Sequence, residues 1–239
     1  MARRMASLFA LFMLFAALLA AQGWWESKPY STWSRDEVDK LLGDSPWGQE
    51  VRKSIPRITL INPGIGGIER VYDRLRFQVG LLTSKPIRMA LARRSILQDP
   101  GEEGRKDWGK YIDQEDTGNI VVIVSWSALP ADSHIAVVVS ELLEHFQTSD
   151  LVGEVSLAAD GGKKVRLEKY DPQGENGYGY KFIFPRALPD GRALVEPGSK
   201  ELKFDLTIPI PKEQSDIRSI AVNTKWDLRK MQYLGKLTF

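Results

Sequence analysis

Glu201 to Ile208 reads ELKFDLTI. Every second residue is apolar: Leu202, Phe204, Leu206 and Ile208. Successive side chains of a strand point to opposite faces, so this alternation predicts a strand with one buried face and one wet face. That pattern belongs to an antiparallel sheet, which can meet water on one side. The neighbouring stretches read alike. In YGYKFIF, Tyr178, Tyr180, Phe182 and Phe184 share one face, and Gly179, Lys181 and Ile183 the other. GEVSLAADGGKKVRLEKY, residues 153–170, sets two strand runs about Asp160-Gly161-Gly162, a hairpin pattern. IRSIAVNTKW (217–226) and MQYLGKLTF (231–239) add two more strands, with LPDGR and EPGS as turn clusters between runs. A mainly antiparallel sheet or sandwich is therefore expected over residues 151–239.

The N-terminal half has a different texture. In TWSRDEVDKLLGDSPWG, Thr32 to Gly48, Ser34 and Glu37 have capping-box spacing. Trp33 and Val38 stand at the positions of a hydrophobic staple, and Val38, Leu41 and Leu42 make one apolar stripe. Gly43 is placed for a left-handed helix end. Ser45-Pro46 looks like a second cap and first-turn proline. Two short helices are expected, at 35–42 and 46–53, with Trp33 stapling the first and Trp47 and Leu41 docking the pair on the main sheet. RITLI (57–61) reads as a strand and NPGIGG (62–67) as a turn. Residues 68–83 stay open between helix and strand, with RFQVGLL more strand-like. SKPIRMALARRSIL from Ser84 predicts a helix, QDPGEEG a loop, NIVVIVSW (119–126) a buried strand, and 133–147 a helix. The fold class is α+β: a helix-containing N-terminal half, then a mainly antiparallel β region. The parts are a leader at 1–23, a mixed region at 24–150 and a β region at 151–239, the last two open to being one domain.

Arg3 and Arg4 precede LFALFMLFAALLAA, Leu8 to Ala21, and AQG puts small residues at 21 and 23. This is the pattern of a secretory signal peptide. A retained anchor is the alternative, but the run is short against the roughly 20 residues that a spanning helix needs. No second apolar run of that length follows. The protein is expected to be exported, periplasmic or extracellular. Two of the 33 basic residues lie before Trp24, so 31 basic face 31 acidic residues after cleavage. A neutral exported chain is a poor partner for nucleic acid. It has no cysteine, which excludes disulfides, thiolate metal sites and a cysteine nucleophile.

KPYSTWSRDEVDKLLGDSPWG, LLTSKPIRMALARR, YKFIFPR and WDLRKMQYLGKLTF together resemble landmarks of an uncharacterised family of secreted proteins abundant in acidobacterial genomes. The resemblance rests on a Trp-Ser start with Ser-Pro-Trp, a Phe-Pro-Arg strand end and a Gly-Lys-Leu ending. The chain departs from it at VGLL, where the family often has an Arg-Trp-Glu type strand. The resemblance implies export and assigns no activity, cofactor or catalytic residue.

Candidate chemistry is sparse. His134, Glu141 and His145 fall on one helical line, but about 16 Å of rise separates the two histidines, too far to share a metal. Ser125 or Ser127 with Asp132 and His134 would supply hydrolase residue types, without a G-x-S-x-G elbow. NPGIGGIER echoes a dinucleotide loop, yet Glu69 stands where the third glycine is needed. Asp171, Glu175 and Asn176 have calcium-like composition and no EF-hand spacing. No catalytic, cofactor or metal residue is assigned. A possible interaction surface comprises Trp24 and Trp25 with the basic stretch Arg70, Arg74, Arg76, Arg88, Arg93 and Arg94. The expected function is an exported, non-catalytic binding or structural module of the cell envelope, its partner an envelope protein or surface. A secreted hydrolase is the alternative, and anionic-lipid binding through residues 70–94 a second one.

Overall fold

A computed structural model describes residues 23–62, 67–116, 118–172 and 178–239. The leader, the centre of the NPGIGG turn and most of the candidate calcium loop lie outside the described residues, as do the side chains of 58–70. Helix α1 (Arg35–Gly43) starts as its cap predicts: Ser34 Oγ accepts from Glu37 N at 3.3 Å, and Ser34 N donates to the Glu37 carboxylate at 2.8 Å. Val38, Leu41 and Leu42 are buried, as is Trp33. Gly43 is the last helical residue and does not take a positive φ.

The second expected helix, 46–53, does not form. Ser45 folds back onto α1 instead: its hydroxyl donates to Leu41 O at 2.6 Å and accepts from Trp47 N at 3.2 Å and Gly48 N at 3.0 Å. The Ser-Pro pair is thus used in a turn, and the chain passes straight into strand β1 (Gly48–Asn62). Glycine is required at that entry, since a Cβ on Gly48 would stand 2.5 Å from the carbonyl oxygens of Leu41 and Leu42. Strand β2 (Gly67–Leu81) settles the ambiguous stretch as strand throughout. It pairs antiparallel with β1 from Gly48↔Gly80 to Leu60↔Ile68.

The rest follows in order: α2 (Lys85–Gln98), α3 (Glu102–Arg105), α4 (Trp108–Asp113), β3 (Asn119–Leu129), α5 (His134–His145), α6 (Thr148–Leu151), β4 (Val155–Ala159), β5 (Lys164–Arg166), β6 (Lys169–Asp171), β7 (Tyr180–Pro185), β8 (Glu201–Pro209), β9 (Ser219–Asp227), β10 (Gln232–Tyr233) and β11 (Lys236–Leu237). Leu234 and Gly235, both at positive φ, form the turn between the last two strands.

The first sheet has the order β1-β2-β3-β7-β6 and the second β5-β4-β8-β9, every pairing antiparallel. Strands from both sides of residue 150 therefore share the first sheet. On one face, Leu81, Val122 and Phe182 lie side by side across three strands. Phe182 and Phe184 meet Phe204 of the second sheet at ring-centroid distances of 5.5 and 6.1 Å. The alternating apolar sets of YKFIF and ELKFDLTI thus become the contact between two stacked sheets. The opposite face carries α1 and α2, whereas α5 packs beside the second sheet on the Phe182 face, where Tyr170 Oη donates to Leu143 O. Gly80 lies under Ile87 of α2, where an added Cβ would find the Ile87 side chain 3.4 Å away. The result is an α+β protein whose five-stranded sheet is covered by α1 and α2 on one face and by the four-stranded sheet and α5 on the other.

One part of the first sheet lacks a third strand. β3 pairs with β2 only from Leu81 back to Arg74. Before Arg74, β2 pairs with β1 alone, so the hairpin continues past the sheet as a two-stranded arm.

Candidate functional site

Trp24 and Trp25 do not form a free surface. They sit in a short 3-10 turn, half-buried, within a row of edge-to-face contacts: Trp33–Trp24 at 5.5 Å, Trp24–Trp25 at 5.8 Å and Trp25–Trp47 at 5.3 Å. Trp47 Nε1 donates to Thr238 O at 2.9 Å, and the Glu26 carboxylate accepts from Leu234 N at 2.7 Å. The tryptophan row thereby fastens the first described residues to the β10–β11 hairpin. Such pairs add about 1 kcal/mol each beyond their burial.

The basic stretch separates into two groups, because strand and helix spread neighbouring residues over different faces. Arg88, Arg93 and Arg94 belong to α2 and turn inward to main-chain oxygens. Arg88 Nε donates to Ile112 O at 2.9 Å and its Nη1 to Leu82 O at 3.1 Å. Arg93 Nε donates to Trp33 O at 2.8 Å, and Arg94 Nη2 to Tyr178 O at 3.3 Å. Burial pushes the pKa values of Arg88 and Arg94 down from the usual guanidinium range.

Arg70, Arg74 and Arg76 belong to β2. Their even spacing puts those positions on one face with Tyr72, and the register adds Arg52 opposite Arg76. Leu129 pairs with Arg74 from the other side and joins the same face. Tyr72 is 48% exposed and Leu129 65%. The side chains of Arg52 and Arg76 keep 81% and 50% exposure. Arg74 is exposed and has no ion pair among the described residues. At the inner end of this face, Glu50 accepts from the Nε atoms of both Arg52 and Arg76. Burial alone would raise the Glu50 pKa; the two arginine hydrogen bonds outweigh it and hold the carboxylate below its ordinary value. Asp39 and Asp44 of the α1 end border the same inner end across a shallow groove. The basic character is therefore strongest toward Arg74.

Sequence reasoning selected Arg70, Arg74 and Arg76 and missed Arg52, Tyr72 and Leu129. The available signal was period-two spacing: Arg70-x-Tyr72-x-Arg74-x-Arg76 marks one face once the segment is read as a strand.

The Ser-Asp-His set is not assembled. Ser125 Oγ lies 3.5 Å from Gln78 Oε1, while His134 Nε2 lies 2.6 Å from Gln214 O, with no hydrogen bond joining the histidine to either serine among the described residues. His145 Nδ1 lies 2.8 Å from Glu141 O, a local helix-end contact. Asp171 of the candidate calcium loop is held by Lys181 at 3.2 Å. Among the described residues no three His, Cys, Asp or Glu side chains gather as a metal site, and no helix is long and apolar enough to cross a membrane. Comparison with protein-family models, curated proteins and solved structures returned no match.

Proposed function

We propose that the protein is an exported, non-catalytic binding module of the cell envelope, and that the basic face of the first sheet at the root of the β1–β2 arm docks on an anionic surface such as a lipid headgroup layer. The observation that carries this reading is the grouping of Arg52, Arg74 and Arg76 with exposed Tyr72 and Leu129 on one face of the first sheet, where the arm leaves it. An amphipathic aromatic among basic residues suits the boundary between water and lipid. Each arginine held near such a surface contributes about 1 kcal/mol at moderate salt. Export rests on the leader pattern, and the resemblance to a secreted family agrees with it.

The test is co-sedimentation with phosphatidylglycerol-containing vesicles at low and high salt. Saturable binding that weakens as salt rises is expected, with none to neutral vesicles; binding insensitive to both salt and lipid charge would refute the electrostatic reading. Glu50 gives a second handle. Glu50→Gln removes the one carboxylate paired within the face and is expected to tighten vesicle binding about fivefold near neutral pH. The same change removes a stabilising ion pair. Because the folded-state pKa of Glu50 is depressed, that contribution is present above the ordinary glutamate range and is lost as pH falls through the depressed value. Vesicle binding by the unaltered protein should strengthen over that same acidic window, and binding by the Glu50→Gln variant should not.

A further inference from the structure

The first sheet has an open edge within it. β3 pairs with β7 only from Asn119 to Val124, whereas its pairing with β2 runs on to Leu129. The chain just before β7 is drawn toward α2, where Arg94 holds Tyr178 O at 3.3 Å. The direction of the free groups follows from the ladder. Val121 O accepts from Leu82 N at 2.8 Å on the β2 side, and Gly118 O accepts from Arg186 N at 3.0 Å on the β7 side. The main-chain groups of a strand point alternately to its two neighbours. Odd-numbered residues of β3 therefore bond toward β2, and the N–H and C=O of Trp126 and Ala128 point to the open side. No strand among the described residues takes them up.

Unpaired groups on a strand edge are a template for another strand, and proteins ordinarily guard them. The outer edges of the two sheets are guarded. β1 carries Arg52, Lys53, Pro56 and Arg57. β5 and β6 have three residues each, with Lys164, Arg166 and Lys169 among them. The Gln49 side chain caps β9 by donating to Lys225 O and accepting from Lys225 N. Ser125 to Leu129 has no charge and no proline. This edge is instead walled by α5. A groove of about 510 Å³ lies between them, with Trp126 and Ala128 on the strand side and Ala136 and Val137 on the helix side. Trp126 is braced by Phe77, ring centroids 6.2 Å apart, and Val137 is 46% exposed. Glu141 and Glu144 stand exposed on the helix lip with no ion pair among the described residues, and no lysine or arginine lines the groove there.

We infer that this groove binds an extended peptide segment as an added strand of the first sheet, beside β3 and under α5. The segment pairs with the main chain of Trp126 and Ala128, rests an apolar side chain on Ala136 and Val137, and sets a lysine or arginine against Glu141 and Glu144. In such strand addition, main-chain hydrogen bonds give affinity and alternate side chains give specificity. A second copy paired edge to edge about a two-fold axis would bring the same acidic lips together, so charge favours a basic segment over self-association. The groove lies on the sheet face opposite Arg74 and Arg76, and the inference does not depend on them or on their target.

The test is a backbone-amide NMR titration of the purified protein with three acetylated, amidated hexapeptides. One alternates lysine and valine, one alternates glutamate and valine, and one is the lysine–valine peptide with Pro-Pro at its centre, which lacks the donors for strand pairing. Saturable shifts at Trp126, Ala128 and residues 136–144 are expected with the first peptide alone. Ala128→Pro removes an outward N–H that no internal pairing uses, and should weaken binding about tenfold, the loss of one main-chain hydrogen bond. Glu141→Lys with Glu144→Lys should also weaken it about tenfold and admit the glutamate peptide, which leaves a second variant to read if Ala128→Pro fails to fold. No saturable shift at about 5 mM peptide, on the weak side of peptide binding, would overturn the proposal. Equal binding of the Pro-Pro or glutamate peptide would overturn it too, as would full affinity in either folded variant. Dimerisation of the protein alone in sedimentation equilibrium, abolished by Ala128→Pro, would assign the edge to a second copy and overturn the peptide reading.

Discussion

Trp47→Ala is expected to lower stability by about 4 kcal/mol, the range seen when a fully buried large aromatic is truncated. Trp47 has no exposed surface, closes one end of the tryptophan row and donates to Thr238 O. Truncation opens a cavity beneath α1 and leaves the Thr238 carbonyl without its donor, which adds to the loss. Half-buried Trp24 should cost only about 1–2 kcal/mol on the same substitution, since less area returns to water. Urea unfolding followed by far-UV circular dichroism reads both. A loss below 1 kcal/mol for Trp47→Ala would mean that the row does not hold the first described segment to the C-terminal hairpin. An equal loss at Trp24 would place the stress elsewhere in the row than its buried end.

The second large effect concerns binding. Arg74→Glu with Arg76→Glu is expected to weaken association with anionic vesicles at least about a hundredfold at low salt, because each site exchanges roughly 1 kcal/mol of attraction for comparable repulsion. Stability should change little, as both residues lie on a solvated face and Glu50 retains Arg52. A shift in net charge alone could mimic the result. Arg229→Glu is the control: Arg229 is exposed, pairs with Asp227 at 2.8 Å and follows β9, away from the arm. The control should bind vesicles nearly as the unaltered protein does. Equal losses in the two variants would assign binding to net charge and not to this face of the sheet.

The sheets were legible where alternation was clean. ELKFDLTI and YKFIF bury the very residues that their period-two patterns select, because a one-residue slip would turn every apolar side chain to water. The capping box at Ser34 was equally readable, being a local device that needs no tertiary partner. Ser45-Pro46 was not, because a serine hydroxyl that caps a new helix can equally close a turn, and Leu41 O lay close enough to decide it. The basic stretch misled for another reason. Charge runs are read along the chain, whereas surface is divided by face, and one change from β2 to α2 sent Arg88, Arg93 and Arg94 inward while Arg74 and Arg76 stayed outside. The open edge of β3 has no local signature at all, since it is set by where β7 stops and α5 walls it only after the layers have packed.

Amide hydrogen exchange of the purified protein, with and without anionic vesicles, tests the basic face at the root of the arm most directly. Binding through this face predicts added protection confined to residues 50–57 and 71–77 of β1 and β2 and to the end of β3 at Leu129, lost in the Arg74→Glu, Arg76→Glu variant. Vesicle binding that protects other segments and leaves these amides unchanged would contradict it.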